Sequence, residues 1–285
     1  TDIARVFEQV IWHTETPILR TSPVPMFLLS RLVRDSGIKV VVTGEGADEI
    51  LAGYNIFKEM RVRRFWARNP ESTLRPLLLM RLYPYLREMA VARPGVLQMF
   101  FGQNLTETND PLYSHRLRWR NSARTRQFFT RDVRNAVSES CTALNEVERS
   151  LPEGFARLSS LAQAQLLETN IFMSGYLLSS QGDRVSAANS VEGRYPFLDH
   201  RLIEFCAALH THFKINGLTE KYLLKKLMHG RLPVPIVDRA KQPYRAPISY
   251  ELIGPAAPAH VTDLMREDAL THAGLFNARA VARLL

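Results

Sequence analysis

Apolar residues recur three and four apart at Ile3, Val6, Phe7, Val10 and Ile11, which predicts an amphipathic helix over 3–16. Ser22 before Pro23 reads as an N-cap with proline in the first turn, and Met26, Leu28, Leu29, Leu32 and Val33 continue a helix that Gly37 ends. The pattern then changes. Val40-Val41-Val42 is β-branched, too short for a helix and without the alternation of a half-wet strand, so it predicts a strand buried on both faces of a parallel sheet. Helical spacing returns at Ile50, Leu51, Tyr54, Phe57 and Met60, predicting one helix from Asp48 into the arginine cluster at 61–68. Pro70, Pro76, Pro84, Pro94 and Pro111 break 69–111 into short helical pieces, with no second buried strand. Leu158, Leu161, Leu166, Leu167, Ile171, Phe172, Leu177 and Leu178 predict a long buried helix over 156–180. Residues 182–201, rich in small polar residues and paired charges, read as an ordered loop before a helix that begins near Leu198 and is capped by Asp199.

Composition narrows this little. At 285 residues and 46% hydrophobic, the chain can bury one large core or two modest ones. No apolar run approaches a transmembrane length, so no membrane association is expected. The chain lacks an initiator Met and the basic-then-apolar order of a signal peptide, which points to a cytoplasmic protein or a cut fragment. Cys141 and Cys206 have no metal-ligand or disulfide spacing, in keeping with a reducing compartment. The net charge of +9 raises a nucleic-acid partner, since Arg61, Arg63, Arg64 and Arg68 and the arginines of 116–134 are interleaved with Phe65, Trp66, Trp119, Phe128 and Phe129. The same mixture describes helices with a solvated arginine face over an aromatic core, and that reading is preferred, with no nucleic acid expected.

The chemistry gathers in three places. Gly44-Glu45-Gly46-Ala47-Asp48-Glu49 follows the β-branched run, where a parallel sheet presents its ligands, and crowds three carboxylates into a glycine-punctuated turn. Alone it reads as a capped connection whose acids complement a helix dipole; a metal or ammonium site is the alternative. The 182–201 loop, with Asp183, Arg184, Glu192 and Arg194, reads either as a salt-bridged scaffold or as the wall of a site. Lys221 stands in a helical stretch one turn before Lys225, where a lone lysine is usually solvated. A Ser-His-Asp hydrolase using Asp199 and His200 has no Gly-x-Ser-x-Gly elbow to support it.

Taken together, Gly-Glu-Gly-Ala-Asp-Glu-x-x-x-Gly-Tyr at 44–54, Asp-Arg-x-Ser through Pro-Phe-Leu-Asp at 183–199, Glu220-Lys221-Tyr222 and the 232–244 segment resemble the asparagine synthetase family, from about Pro23 to Pro247. The resemblance implies a C-terminal synthetase domain that adenylates the aspartate side chain with ATP and Mg²⁺ and lets ammonia displace AMP. In it, Asp48 is the metal ligand, and Gly44, Glu45, Gly46 and Asp48 form the nucleotide side. Glu45 and Lys221 are catalytic, Tyr54 and Glu192 an accessory dyad, and Asp183, Arg184 and Arg194 substrate-binding, with scaffold the preferred role for the arginines. The implied fold is mainly α with a remnant of a doubly wound parallel α/β sheet, of the adenine nucleotide α-hydrolase type, over 1–65, and a mostly helical 66–285. Ala52, Ala187 and Val191 depart from the family's usual glycine, methionine and leucine. No Ser-Gly-Gly-x-Asp-Ser pyrophosphate loop and no glutaminase domain is found, so the expectation is a C-terminal fragment, inactive by itself, whose ammonia comes from a glutaminase domain elsewhere. A homodimer is left open for the full-length protein. A related amidotransferase, a β-lactam-type synthetase, a basic nucleic-acid-binding module and a non-catalytic scaffold remain as alternatives.

Overall fold

The computed structural model describes residues 2–85, 94–137, 142–247, 252–255 and 257–285. It is mainly helical, with one two-stranded parallel sheet. Helix α1 (Asp2–Thr14) buries Val6 and Val10 against α2 (Pro23–Asp35), which contributes Val24 and Phe27; Val185, from far along the chain, completes this cluster. The α2 boundaries follow the local signals, with Ser22 as N-cap and Gly37 at φ +78 just past the end, although the Ser22 side chain makes no capping bond.

Strand β1 (Val40–Val42) corrects the expectation of a strand covered on both faces, because Val40 is 39% and Val42 70% exposed. Its partner is β2 (Glu192–Arg194), paired in the register Val40↔Glu192, Val41↔Gly193, Val42↔Arg194, in a stretch expected to be loop. Among the described residues β1 pairs with β2 alone, which leaves the ribbon's outer side open. The ladder is closed by Glu192 N–H donating to Lys39 O (2.8 Å) and Thr43 N–H to Arg194 O (3.0 Å).

The helix expected from Asp48 is interrupted. A single turn, α3 (Ala47–Ile50), is followed by a break at 51–54 and then by α4 (Asn55–Ala67). Helix α4 is the hub of the fold. One side buries Ile56, Phe57 and Met60 against Tyr113, Leu161, Ala164 and Ile215; further along, Val62 and Trp66 pack with Leu79, Leu82, Leu97 and Phe101. Burying a side chain such as Phe57 contributes about 1.5–3 kcal/mol.

The arginine cluster is not the solvated face the pattern predicts. Arg63 is 3% exposed, donates to the carbonyls of Phe101 (2.9 Å), Gln103 (2.7 Å) and Tyr113 (3.3 Å), and lies over the Tyr113 ring at 4.3 Å. Arg64 donates to Thr108 O (2.6 Å) and Arg61 to Ile215 O (3.3 Å). These guanidinium groups bind carbonyls at helix ends and in loops, at Phe101, Gln103, Thr108, Tyr113 and Ile215.

The region 156–180 is not one buried α-helix. Helix Ser160–Leu167, capped by the Ser159 hydroxyl, passes into a π-helix over Glu168–Asp183, and Leu158 and Ile171 are exposed. Part of the proline-broken stretch and Cys141 lie outside the described residues; Cys206 is a buried free thiol. Among the described residues no helix is long and apolar enough to cross a membrane.

Candidate active site

The site is built where β1 ends. Gly46 has φ +89, and a Cβ there would stand 2.3 Å from Leu198 Cδ2, so the turn lies directly on the 3-10 helix Pro196–Leu198. Gly44 has open space around it and no such constraint. The turn delivers Asp48 into a cluster of cations. Lys221 Nζ is 3.0 Å from Asp48 Oδ1, and Lys241 Nζ is 2.9 Å from Oδ2. Lys241 makes a directed hydrogen bond, whereas the approach of Lys221 is off-axis and leaves the buried Oδ1 without one.

The break at 51–54 exists to allow this approach. At Gly53 a Cβ would fall 1.9 Å from Asp48 Oδ1 and 2.4 Å from Lys221 Cε, so only glycine lets the backbone pass behind the ion pair. Ala52 beside it is fully buried at φ +54, a backbone conformation suited to the glycine it replaces. Lys221 also sits at φ +49, at the N-cap of helix Tyr222–Met228, with its N–H donating to Leu51 O (3.2 Å). That hydrogen bond ties the lysine to the same break that frees Asp48.

Electrostatics follow the packing. Burial, aided by the Asp48 charge, pushes the Glu45 carboxyl above its ordinary value, while Lys241 and Lys221 pull it down. Burial also raises Glu49, against the hydrogen bond it accepts from the Tyr54 hydroxyl (2.7 Å). The Tyr54 phenol is in turn held neutral by burial and by Glu49. Lys241 Nζ lies 5.5 Å from the Tyr54 ring centroid. Among the described residues no three His, Cys, Asp or Glu converge as a metal cage. Asp48 Oδ1 is a buried oxygen without a directed hydrogen bond, and with Glu45 close by it could ligate a Mg²⁺ held by one or two carboxylates.

Of the residues singled out in the sequence, Glu45, Asp48 and Lys221 are brought together, and Tyr54 borders them through Lys241. The expected Tyr54–Glu192 dyad is not formed. Tyr54 bonds Glu49 instead, and Glu192 accepts from Arg194 Nε (2.8 Å) on the exposed face of β2, because residues two apart on a strand point the same way. Arg194 is thereby held at the surface. Asp183 accepts from the Tyr195 hydroxyl (2.6 Å), whose phenol is held up by burial and by Asp183. Arg184 bonds the Thr14 carbonyl and lies 3.8 Å from Glu15, a scaffold contact with α1. Asp199 caps helix His200–Ala208, accepting from Arg201 N–H (2.9 Å). Lys241 was not among the residues assigned a role from sequence, and its signal was its place in the segment that follows the Lys221 helix.

The site is thus a strand-end acidic turn closed by two lysines from the C-terminal part of the chain. The chain belongs to the asparagine synthase family, whose family model matches residues 1–285. It is similar to "Amidase chyE" of Penicillium rubens, 30% identical over 90% of this chain and 39% of that protein. It is also similar to "Asparagine synthetase [glutamine-hydrolyzing] 1" of Bacillus subtilis, 25% identical over 86% of this chain and 36% of that protein, and to "Amidase chry2" of Gibberella zeae, 23% identical over 89% and 38%. The chain therefore spans about two-fifths of the length of these relatives. No solved structure matches it.

Proposed function

We propose that Asp48, Glu45, Lys221 and Lys241 form the reacting centre of an ATP-dependent amide synthetase, which adenylates a carboxylate and lets ammonia displace AMP. Family membership supports a ligase of this type, and the convergence of two ammonium groups on one strand-end carboxylate is the observation that carries the reading. Adenylation and the tetrahedral intermediate of ammonia attack both place negative charge on oxygen. Cations positioned in advance stabilise that charge best in a partly desolvated site. Lys221 and Lys241 are such cations, each tethered within 3.0 Å of Asp48 so that little reorganisation is needed. Mg²⁺, when bound, supplies charge neutralisation for phosphate oxygens, and Asp48 with Glu45 would hold it. The raised Glu45 carboxyl is suited to taking a proton from the attacking amine. Gly53 and the Leu51 carbonyl keep Asp48 and Lys221 in register with each other.

Aspartate as the acyl substrate, with ammonia derived from glutamine, is the reading favoured by the Bacillus subtilis relative's name. A second reading, the same chemistry on a different carboxylate, is favoured by the two relatives named amidases. The exchange of labelled pyrophosphate into ATP, measured with aspartate and with other carboxylates in the natural protein, tests both. Asp48→Asn and Lys221→Ala are expected to lower exchange by at least about 10²-fold. Exchange at the parental rate in either variant overturns that residue's role.

A further inference from the structure

Beside the proposed reacting centre, and sharing Lys241 with it, lies a cavity of about 260 Å³. Its walls come from separate elements: Lys58 on α4, Arg81 at the end of the 3-10 helix Arg75–Arg81, Lys225 on helix Tyr222–Met228, and Glu220, Asp238 and Lys241 between. The charges are built in rather than scattered. Lys58 Nζ is 3.1 Å from Glu220 Oε2 and Lys225 Nζ is 2.9 Å from Oε1, with the Lys58 and Glu220 side chains only 7% and 6% exposed.

One carboxylate thus serves two ammonium groups in a desolvated setting. Burial alone would raise Glu220, but the Lys225 hydrogen bond and the Lys58 charge hold it below its ordinary value, so the carboxylate is charged and still leaves one positive charge uncompensated. Arg81 adds a second cation that has no ion-pair partner among the described residues. Asp238 opposes it from an exposed position, already 3.4 Å from His229. Even with Asp48 set against Lys241, cations exceed carboxylates. The excess lies toward the mouth of the cavity, on Lys225, whose side chain is 20% exposed, and on exposed Arg81, where an anion entering from solvent can reach it. Each lysine also keeps N–H donors beyond the one given to Glu220.

We propose that this cavity is an anion site separate from the Asp48 carboxylate, taking a compact phosphate-type oxyanion. Several oxygens on a small centre match donors that arrive from three elements, as a single planar carboxylate would not. The site goes beyond the amide-synthetase reading and does not rest on it.

Titration of inorganic phosphate and pyrophosphate into the 285-residue chain at low ionic strength, followed by calorimetry, tests the proposal. Saturable one-to-one binding of at least one of them is expected. Arg81→Ala, at the exposed rim, and Lys225→Gln should each weaken it by about tenfold or more, in variants whose circular dichroism and melting match the parent. Absence of saturable binding overturns the proposal. So does binding that survives both substitutions, and if Lys221→Ala alone abolishes it, the anion belongs to the Asp48 cluster and the amide-synthetase reading is untouched.

Discussion

Gly53 offers the sharpest structural test of how the site is held. In Gly53→Ala the new methyl carbon would stand 1.9 Å from Asp48 Oδ1, 2.8 Å from Asp48 Cγ and 2.4 Å from Lys221 Cε. Ordinary contact begins near 3.4 Å, so about 1.5 Å of movement is required. The Lys221 chain is flexible and can swing aside. Asp48 is not free to do so, because Lys241 holds its other oxygen at 2.9 Å and Gly53 N–H donates to its backbone carbonyl (2.7 Å). Forcing a methyl into such a contact costs about 1–3 kcal/mol. At about 2–4 °C per kcal/mol for a chain of this order of size, the melting temperature should fall by roughly 2–12 °C. Gly44→Ala is the internal control, since a Cβ there meets nothing within 4 Å and the backbone is not left-handed. It should be neutral or stabilise by up to about 1 kcal/mol. Thermal melts of both variants beside the parent decide the matter. A Gly53→Ala melt within a degree of the parent refutes the claim that glycine is needed behind the ion pair.

Arg63→Lys should destabilise the chain by about 2–5 kcal/mol in urea unfolding, because one ammonium group cannot span the three carbonyls and each acceptor left unpaired costs about 1–3 kcal/mol. Glu220→Gln should cost about 3–5 kcal/mol by the same assay, since it leaves Lys58 buried without its carboxylate. Because the folded Glu220 lies below its ordinary value of 4.5, its stabilisation is present above that value and is lost as pH falls through the lower folded one. Glu45 runs the other way. Its raised carboxyl favours the fold below 4.5 and loses that contribution as pH rises through the folded value, so Glu45→Gln should melt higher than the parent at neutral pH, with the gain vanishing in acid.

Local features were legible in the sequence because local chemistry fixes them. The α1 and α2 periodicities, the Gly37 stop and the Asp199 cap depend on neighbours a few residues away. The acidic turn and Lys221 were singled out together only through the family resemblance, since alone each had a plainer reading, and the structure brings them together. What was missed depends on distant contacts. Nothing in Glu192-Gly193-Arg194 announces a strand, since it is ordered by β1, about 150 residues earlier, and this same pairing turns Glu192 away from Tyr54. The break at Ala52-Gly53 is invisible to helical spacing because its cause is a lysine 168 residues further on. Arg63 looks like a surface charge until the 101–113 segment folds over α4 and presents the carbonyls of Phe101, Gln103 and Tyr113 to it. Lys241 lies in a stretch without periodicity, and only the fold places it on Asp48.

In the proposed reacting centre Asp48 works with two lysines rather than one, and pyrophosphate exchange into ATP by the Lys241→Ala variant of the natural protein measures this most directly. If Lys241 stabilises oxygen charge in the reacting centre, exchange falls by at least about 10²-fold while the melting temperature stays near that of the parent. Exchange at the parental rate in a folded Lys241→Ala protein contradicts the account.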